Sequence, residues 1–407
     1  MLARCLAGNP PAELPLALLE EPCAAALFSI LVEGLADRFE PALCDVYVRL
    51  FGKALAQTTG ELDASQVVAH FERARTVRAV TAEPRTVFVL SRVTLGADVA
   101  VTSVLLDAAK RRFPHARIVF AGPRKNYELF AGDARIEHAP VAYQRGSLRD
   151  RLGAWRELRA LCADALVLDP DSRLTQLGLL PVCEEERYRL FESRAYGYRA
   201  TEGSRDHREA DGAPVEPACG ASLPELAAAW ARETLQIDGA RPYLALAGSA
   251  PAQSGITVSL GVGDNPAKRL PDPFEEELLA MLGATGLPLT IDKGAGGEEA
   301  ARVENACRRA GVRATLWDGS FAGFAAYIAA SRLYTGYDSA GQHVAAAAGV
   351  PLISIFAGFP APRMFHRWRP TAPKAHVIRV DTPDVECTLG RVGEALQAAL
   401  PTELPAE

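Results

Sequence analysis

Short apolar segments that alternate with amphipathic helical segments constrain the fold of this chain more than any other feature. The first series begins at Thr86 with the segment VFVL and continues with ARIVFAG and ALVLDPD, and a second series, starting near residue 241, includes GITVSLGV, LPLTIDKG and PLISIF. Apolar strands separated by helices form parallel sheets with both faces covered. We therefore predict an α/β protein with two lobes, each built on a parallel sheet. Ligands of open α/β sheets bind beyond the carboxyl ends of the strands, so these ends are expected to face each other across a cleft.

Changes in composition mark the expected domain boundaries. Residues 1–80 show helical periodicity without a strand pattern, and the stretch 199–222 is rich in charged residues, glycine and proline, which is typical of a linker. The predicted organisation is a helical N-terminal extension over 1–80, a first lobe with its linker over 81–222, a second lobe over 223–384, and a helix with a tail over 385–407. The extension is expected either to complete the first lobe or to mediate a homo-oligomer.

The charge and the cysteines narrow the classes of function. The formal net charge of −6 argues against nucleic acid as the main partner, because phosphate backbones are bound by basic surfaces. None of the eight cysteines forms a CxxC pair, so the sequence predicts free thiols and a reducing, cytoplasmic location. The most apolar run, CAAALFSILVEGL, is shorter than the ~20 residues of a membrane-spanning helix, and membrane contact is expected to be peripheral at most.

The turn YDSAGQH, which joins an apolar strand to an alanine-rich helix, is the strongest candidate for an anion site. The residues that it places at the start of the helix are Asp338, Ser339, Ala340, Gly341 and His343. The first amides of a helix have no partner within the helix, and the helix dipole is positive at this end. Small residues allow an anion to approach the backbone closely. The alternative interpretation is an ordinary capped helix.

A second loop, GVGDNPAKRLPDPFEE, carries Lys268 and Arg269 before a helix that begins near Asp272. Basic side chains beside a helix start are suited to holding a diphosphate, whereas the alternative is a solvated surface loop. Neither this loop nor the turn YDSAGQH matches a P-loop, and no G-x-G-x-x-G follows the first strand of either series. P-loop ATP hydrolysis and dehydrogenase chemistry are therefore disfavoured.

Further candidates follow the strands of the first series and the last part of the second. Asp98 lies at a predicted helix start, where an aspartate either caps the helix or, if it faces the cleft, acts as a general base. The segment VLDPDSRL supplies Asp169, Asp171 and Arg173 as candidate acceptor contacts, with a turn and helix cap as the alternative, and it lacks the further ligands that a metal site would need. Arg363 is either another acceptor contact or part of an ordered surface loop.

Three segments together resemble the ADP-heptose:lipopolysaccharide heptosyltransferases, glycosyltransferase family 9. VLSRVTLGADVAVTSVLLDAAKRRFPHARIVFAGP resembles the start of these proteins, GVGDNPAKRLPDPFEEELL resembles their phosphate loop, and YTGYDSAGQHVAAAAGVPLISIF resembles their Asp-(Ser/Thr)-Gly-x-x-His signature. The resemblance covers roughly residues 84–385, in the order that the family has. The chain departs from the family pattern in four ways. Ala97 stands between Gly96 and Asp98, Leu270 stands where the family often has tryptophan, an extra Ala340 precedes Gly341, and residues 1–80 lie outside the pattern.

The resemblance implies the GT-B architecture, with two Rossmann-like lobes that face a cleft. It also implies inverting sugar transfer without a metal or a bound cofactor. A nucleotide-diphosphate sugar, by resemblance an ADP-sugar, would be the co-substrate and would be held mainly by the second lobe. By matched position, Asp98 would be the general base, Lys268 a diphosphate contact, and the turn from Asp338 to His343 the donor site. A heptose-like sugar is expected, while a glycan, a small molecule and a protein stay open as the acceptor.

Two other functions fit the same pattern of residues. A nucleotide-sugar epimerase would isomerise the sugar without an acceptor. A catalytically inactive sugar-nucleotide-binding or scaffold protein would bind the donor without turnover, and its N-terminal helices would dock a partner.

Overall fold

The computed structural model describes residues 1–143, 146–197, 220–248, 251, 254–263, 265–294 and 296–400. The chain divides into two compact units. The first consists of Met1–Tyr127 and Ala134–Pro242, and the second of Glu128–Asp133 and Tyr243–Glu407. Most of the predicted linker, residues 199–219, lies outside the described residues. The helix Leu223–Leu235, which sequence analysis placed at the start of the second lobe, belongs to the first unit.

The first unit is built on a five-stranded parallel sheet in the order β3-β2-β1-β4-β5. Its strands are β1 (Thr86–Leu90), β2 (Arg117–Gly122), β3 (Ile136–Pro140), β4 (Leu166–Asp169) and β5 (Tyr188–Leu190). In this register Val89 of β1 pairs with Phe120 on one side and Leu168 on the other. The all-parallel arrangement confirms the prediction made from the apolar strands, since such strands are buried on both faces.

Helices surround this sheet. The described α-helices of the first unit are Leu2–Leu6, Glu33–Ala36, Pro41–Thr59, Ala64–Ala74, Leu95–Ala97, Ser103–Arg112, Arg124–Tyr127, Leu148–Cys162 and Leu223–Leu235. Shorter 3-10 turns lie at Leu16–Leu19, Glu21–Cys23, Arg173–Thr175 and Glu185–Arg187, and π-helical turns lie at Ala26–Val32 and Asp98–Thr102. Ser147 and Ser222 begin their helices with reciprocal side-chain and backbone hydrogen bonds to Asp150 and Glu225, which satisfy two otherwise unpaired amides at each helix start.

The N-terminal helices are part of the core of the first unit. Phe51 and Phe71 from these helices share one apolar cluster with Phe88 and Leu90 of β1 and Val167 of β4. Because Phe88 and Leu90 are two residues apart, they point to the same face of the sheet. Residues 1–80 therefore pack against that face and complete the first unit, which is one of the two roles expected for them.

The second unit is built on a six-stranded parallel sheet in the order β11-β10-β9-β6-β7-β8. Its strands are β6 (Ser254–Ser259), β7 (Leu289–Asp292), β8 (Ala314–Trp317), β9 (Ser331–Tyr337), β10 (Leu352–Phe356) and β11 (Ala375–Arg379). Its described α-helices are Phe274–Gly283, Gly297–Ala310, Phe321–Ala329, Ala340–Ala348, Pro362–Trp368 and Val385–Ala399, and a 3-10 turn spans Pro266–Lys268. Leu389 and Val392 of the last helix pack in the same core as Ile355 of β10. The predicted α/β fold with two Rossmann-like lobes is thus confirmed.

The segment 241–247, RPYLALA, reads as a strand in the sequence but forms no strand in the structure. Its backbone runs beside residues 128–133 through two hydrogen bonds, from the Ala245 amide to the Leu129 carbonyl at 2.9 Å and from the Gly132 amide to the Ala245 carbonyl at 2.7 Å. This pairing is too short to form a ladder. A Cβ atom at Gly132 would lie 2.5 Å from the carbonyl oxygen of Leu246, so the close approach requires glycine.

None of the described helices has the length and apolarity needed to cross a membrane.

Candidate functional site

The candidate site of the second unit lies at the carboxyl end of the central strand β9. After Tyr337 the chain leaves the sheet through Asp338 and Ser339 and enters the helix Ala340–Ala348. The end of β9 approaches β6 closely at Gly336, where a Cβ atom would lie 2.1 Å from the backbone oxygen of Ser259. The tight packing of the strand ends fixes the position of the turn that sequence analysis singled out.

Lys268 and Asp338 form the central ion pair of this site. The Lys268 Nζ atom lies 2.7 Å from Asp338 Oδ2 and 3.1 Å from the Asp338 backbone oxygen. Asp338 is buried, and 18% of the Lys268 side chain is exposed. The structure therefore brings together two of the predicted donor-site residues that are seventy positions apart in the sequence.

The backbone before Lys268 is held in place by Asn265. Its side chain accepts a hydrogen bond from the Ala267 amide at 3.1 Å and donates one to the Gly358 carbonyl at 3.2 Å. Gly358 has a φ of +68°, and a Cβ atom there would lie 2.6 Å from the Lys268 backbone nitrogen. This turn fixes the direction from which the lysine reaches Asp338.

The pair leaves hydrogen-bonding capacity for an anion. A lysine ammonium has three N–H donors, and Asp338 accepts two of them through its carboxylate and its carbonyl oxygen. The third donor stays on Lys268, which Asp338 holds next to Ser339, the N-cap residue of helix Ala340–Ala348, and the first amides of this helix have no partner within it. Charge-assisted hydrogen bonds to such donors contribute about 1.5–3 kcal/mol each.

Ser339, Ala340 and Gly341 form the start of the helix. Ser339 is its N-cap residue with an extended backbone, but its hydroxyl makes no capping bond and lies 3.2 Å from the Tyr334 hydroxyl. A Cβ atom at Gly341 would lie 2.3 Å from the Tyr334 hydroxyl oxygen. Gly341, which was predicted to allow the close approach of an anion, is therefore also required for packing, because any side chain at this position would clash with Tyr334.

His343 is a neutral side chain at physiological pH. Burial lowers its pKa to about 4, against the opposing effect of the Asp338 carboxylate. Its ring packs edge-on against Trp368, with 5.8 Å between the ring centroids. His343 therefore offers hydrogen bonds, but it adds no positive charge to the site.

Arg269 pairs with acidic residues of its own loop and the following helix, away from Asp338. The Arg269 guanidinium pairs with Asp272 and, at 3.2 Å, with the buried Glu275, which also binds Arg302. These acidic partners hold Arg269 at the start of helix Phe274–Gly283, and its contact with a diphosphate stays a prediction. Arg363 is half-buried within helix Pro362–Trp368.

Gln342 is a site residue that sequence analysis missed. It is fully buried, and its amide nitrogen donates to Asp338 Oδ1 while its amide oxygen accepts from the Ser354 hydroxyl. The one available signal was a polar residue at a buried helical position, which is unusual unless its hydrogen bonds are satisfied.

In the first unit, Asp98 lies in the π-helical turn that follows Leu95–Ala97, so it is not the N-cap residue. Its carboxylate accepts four hydrogen bonds of 2.6–2.7 Å, from the Ser91 hydroxyl, the Arg92 amide, the Thr102 hydroxyl and the Asn126 side chain. Burial raises its pKa, against the opposing effect of these hydrogen bonds. A carboxylate has about four lone-pair positions, so Asp98 is saturated and, in this structure, anchors the turn after β1.

The candidate acceptor contacts after β4 are mostly buried. Asp169 accepts from the Ser172 amide, the Thr175 hydroxyl and the Tyr188 hydroxyl, and burial raises its pKa to about 6. These contacts agree with the alternative interpretation of Asp169, in which its carboxylate organises the turn that follows β4.

Asp171 and Arg173 differ in exposure. Asp171 is buried, has a φ of +68° and pairs with the buried Arg194 at 3.2 Å. Arg173 keeps 21% of its side chain exposed and lies 3.7 Å from Glu33 of the N-terminal extension. Of the three predicted contacts in this segment, Arg173 alone is exposed enough to meet a ligand.

No three histidine, cysteine, aspartate or glutamate side chains are grouped as metal ligands within the described part of the chain.

The sequence and the fold both match known proteins. Residues 225–391 match the model of glycosyltransferase family 9 (heptosyltransferase). The structure of E. coli ADP-heptose lps heptosyltransferase II is similar with 20% sequence identity and a TM-score of 0.53, over 77% of this chain and 98% of that one. E. coli heptosyltransferase WaaC with ADP-2-deoxy-2-fluoro heptose is similar with 16% identity and a TM-score of 0.55, over 77% of this chain and 100% of that one.

A third similar structure is the glycosyl transferase family 9 protein from Veillonella parvula, with 13% identity and a TM-score of 0.51, over 78% of this chain and 94% of that one. None of the curated proteins matches the sequence. At these identities the structural likeness establishes a shared fold, and the family match comes from residues 225–391. Residues 225–391 thus match glycosyltransferase family 9, the described structure shares the fold of these heptosyltransferases, and the family match supports the enzyme class of a glycosyltransferase.

Proposed function

We propose that this enzyme moves a heptose-like sugar from a nucleotide-diphosphate donor, with ADP as the favoured nucleotide, to an acceptor nucleophile. The transfer inverts the anomeric carbon and needs no metal ion. The acceptor oxygen attacks that carbon from the face opposite the nucleotide, its proton passes to a base, and the diphosphate leaves with the bonding electron pair. Support comes from the family match and from the E. coli enzyme WaaC, whose structure contains an ADP-heptose analogue.

The observation that carries the proposal is the Lys268–Asp338 pair beside the start of helix Ala340–Ala348. The leaving diphosphate gains negative charge as the bond to the sugar breaks. An ammonium and helix amides that are already in place can stabilise this charge, and one preorganised donor contributes ~10²–10³ in rate. These groups would therefore supply the positive charge that a divalent ion supplies in other enzymes.

Asp98 is the proposed base, on the strength of its position in the resemblance to family 9. In the structure its four hydrogen bonds leave no lone pair for an acceptor hydroxyl. For Asp98 to take a proton, the acceptor hydroxyl has to replace one of the present donors, and the side-chain donors Ser91 and Asn126 both bind Oδ2.

The acceptor is proposed to differ from lipopolysaccharide. Residues 1–80 lie outside the family pattern, yet they form part of the core of the first unit, and Glu33 from this region lies 3.7 Å from Arg173. Because the extension borders a candidate acceptor contact, it would change which acceptors fit. A small molecule or a protein is the alternative to a glycan, and acceptor screening separates the three.

Calorimetric titration with ADP, GDP and UDP, with and without magnesium, tests the proposal. We expect one nucleotide to bind independently of magnesium and Lys268→Ala to weaken this binding. Lys374→Ala is the matched control. Lys374 is exposed and directly precedes β11, so it lies at the amino ends of the parallel strands, whereas the candidate site lies at their carboxyl ends. If no nucleotide binds the wild type, the proposed function is wrong. If a nucleotide binds but no acceptor yields product, the chain is a sugar-nucleotide-binding scaffold.

A further inference from the structure

Gln342 lies at the centre of a buried chain of hydrogen bonds in the second unit. Its amide nitrogen donates to Asp338 Oδ1 and lies 3.4 Å from the Trp368 carbonyl, and its amide oxygen accepts from the Ser354 hydroxyl. The Ser354 hydroxyl has a donor proton and the Asp338 carboxylate has none, so the orientation of the amide is determined. Gln342 can only present its NH₂ group to Asp338.

His343 is compatible with the same orientation. Its Nε2 atom lies 3.3 Å from the Gln342 amide nitrogen. A neutral imidazole can accept a hydrogen bond at this nitrogen, and burial keeps His343 in its neutral form by lowering its pKa. The neighbours of the Gln342 NH₂ group are therefore all acceptors.

The chain ends at the ammonium of Lys268. Asp338 binds Gln342 through Oδ1 and Lys268 through Oδ2, so both oxygens of the carboxylate have a partner on a different element of the fold. Gln342 thereby restricts the rotation of the Asp338 side chain. Because Lys268 is held by Asp338 at two oxygens, a fixed carboxylate means a fixed ammonium.

We propose that Gln342 is a positioning residue of the donor site, which sets the Asp338 carboxylate so that Lys268 presents its remaining N–H donor to the diphosphate. This inference rests on the proposed function, because it assigns the diphosphate as the ligand. Gln342 does not touch the ligand and acts through Asp338 and Lys268. The buried amide is thus part of how the site is preorganised, since a displacement of about 1 Å can cost ~10²-fold in rate.

The variant Gln342→Glu gives a readout that a merely structural role would not produce. The new carboxyl group has the same shape but faces Asp338, and two adjacent carboxylates cannot both ionise readily. When the new group is protonated it can still donate a hydrogen bond to Asp338. As the pH rises and it ionises, it repels Asp338 and competes for Lys268. The ratio of variant to wild-type activity should therefore fall with rising pH.

The experiment measures, for wild type, Gln342→Glu, Ser354→Ala and Thr335→Val, the affinity for the nucleoside diphosphate that the wild type binds and the kcat and KM of sugar transfer, from pH 6 to pH 8. We expect the activity ratio of Gln342→Glu to fall about tenfold or more across this range, in line with the rate cost of a displaced group. Ser354→Ala should lower kcat by a smaller factor at every pH. Thr335→Val is the control, because Thr335 is buried in β9 and its hydroxyl has no hydrogen-bond partner among the described residues.

The outcomes separate this inference from the proposed function. If the wild type binds a nucleoside diphosphate and transfers sugar, but the Gln342→Glu ratio is independent of pH and Ser354→Ala behaves like Thr335→Val, the positioning role is wrong and the function stands. If the wild type neither binds nor transfers, both fail. Should Gln342→Glu not fold, as judged by circular dichroism, Ser354→Ala decides: a kcat equal to that of Thr335→Val overturns the positioning role.

Discussion

The phenolic hydroxyl of Tyr47 donates a hydrogen bond of 3.0 Å to the backbone carbonyl of Gln176. Tyr47 belongs to the helix Pro41–Thr59, and Gln176 follows the 3-10 turn after β4. The N-terminal extension is thus tied to the carboxyl edge of the first sheet by a specific polar contact as well as by apolar packing.

Removing this contact should destabilise the protein modestly. Tyr47→Phe keeps the ring but leaves the buried Gln176 carbonyl without this donor, and we expect a loss of about 1–3 kcal/mol in the free energy of unfolding. Urea-induced unfolding followed by circular dichroism measures the change. A variant as stable as the wild type would show that the hydroxyl contributes nothing to anchoring the extension.

Two adjacent residues test whether the extension belongs to the core. Leu31 is 3% exposed and lies in the apolar cluster of the first unit, whereas its neighbour Ile30 is 58% exposed. Leu31→Ala should lower the free energy of unfolding by about 2–5 kcal/mol, because it leaves a cavity. Ile30→Ala removes a similar volume from the surface and should change stability little. Equal effects of the two substitutions would contradict the packing described above.

Adjacent basic residues in the second unit should differ in function. Lys268→Gln removes the ammonium beside Asp338, and we expect sugar transfer to fall about 100-fold or more. Arg269→Gln breaks the pair with the buried Glu275 instead, so it should lower the melting temperature while changing kcat much less. Steady-state kinetics and thermal unfolding of both variants provide the comparison. A large loss of kcat in Arg269→Gln at unchanged stability would return Arg269 to the diphosphate site.

The strands could be predicted from the sequence because the pattern that indicates each strand lies within the strand itself. Runs such as VFVL and PLISIF are long enough and apolar enough to indicate buried parallel strands, and both are strands in the structure. The segment RPYLALA has the same local pattern, but its neighbour is a short loop, so no ladder forms. Whether a strand-like segment finds a partner is decided by tertiary structure.

Some residues of the candidate site could also be predicted, because they follow local sequence patterns. Asp338 and Lys268 could be named from turn and charge patterns, and the structure pairs them. The partners that redirect Arg269, and the contact of Gln342 with Ser354 on β10, depend on the arrangement of separate elements. No spacing within the sequence reports such contacts.

Asp98 should prove important for stability. Asp98→Leu removes both acceptor oxygens from the ring of four donors, so the Arg92 amide and the Asn126 NH₂ group lose this acceptor. A buried donor left unpaired costs about 1–3 kcal/mol, and we expect a loss of stability in this range. Chemical unfolding of the variant measures it. Unchanged stability together with lost turnover would instead assign to Asp98 a purely catalytic role.

His70 should make the stability of the first unit depend on pH. Burial lowers its pKa to about 4, with Glu185 opposing this shift and Arg73 adding to it, and its ring packs on Tyr188 with 5.4 Å between centroids. In the unfolded chain a histidine has a pKa near 6.5. As the pH falls from 6.5 towards 4, the unfolded state therefore takes up a proton that the folded state does not, and stability is lost. From the two pKa values we expect a loss of about 2 kcal/mol between pH 7 and pH 5 from this residue.

His70→Phe keeps an aromatic ring against Tyr188 but cannot be protonated, so its free energy of unfolding should fall less over the same range. Urea unfolding at both pH values compares the two proteins, and equal pH dependence would show that His70 is protonated in the folded state.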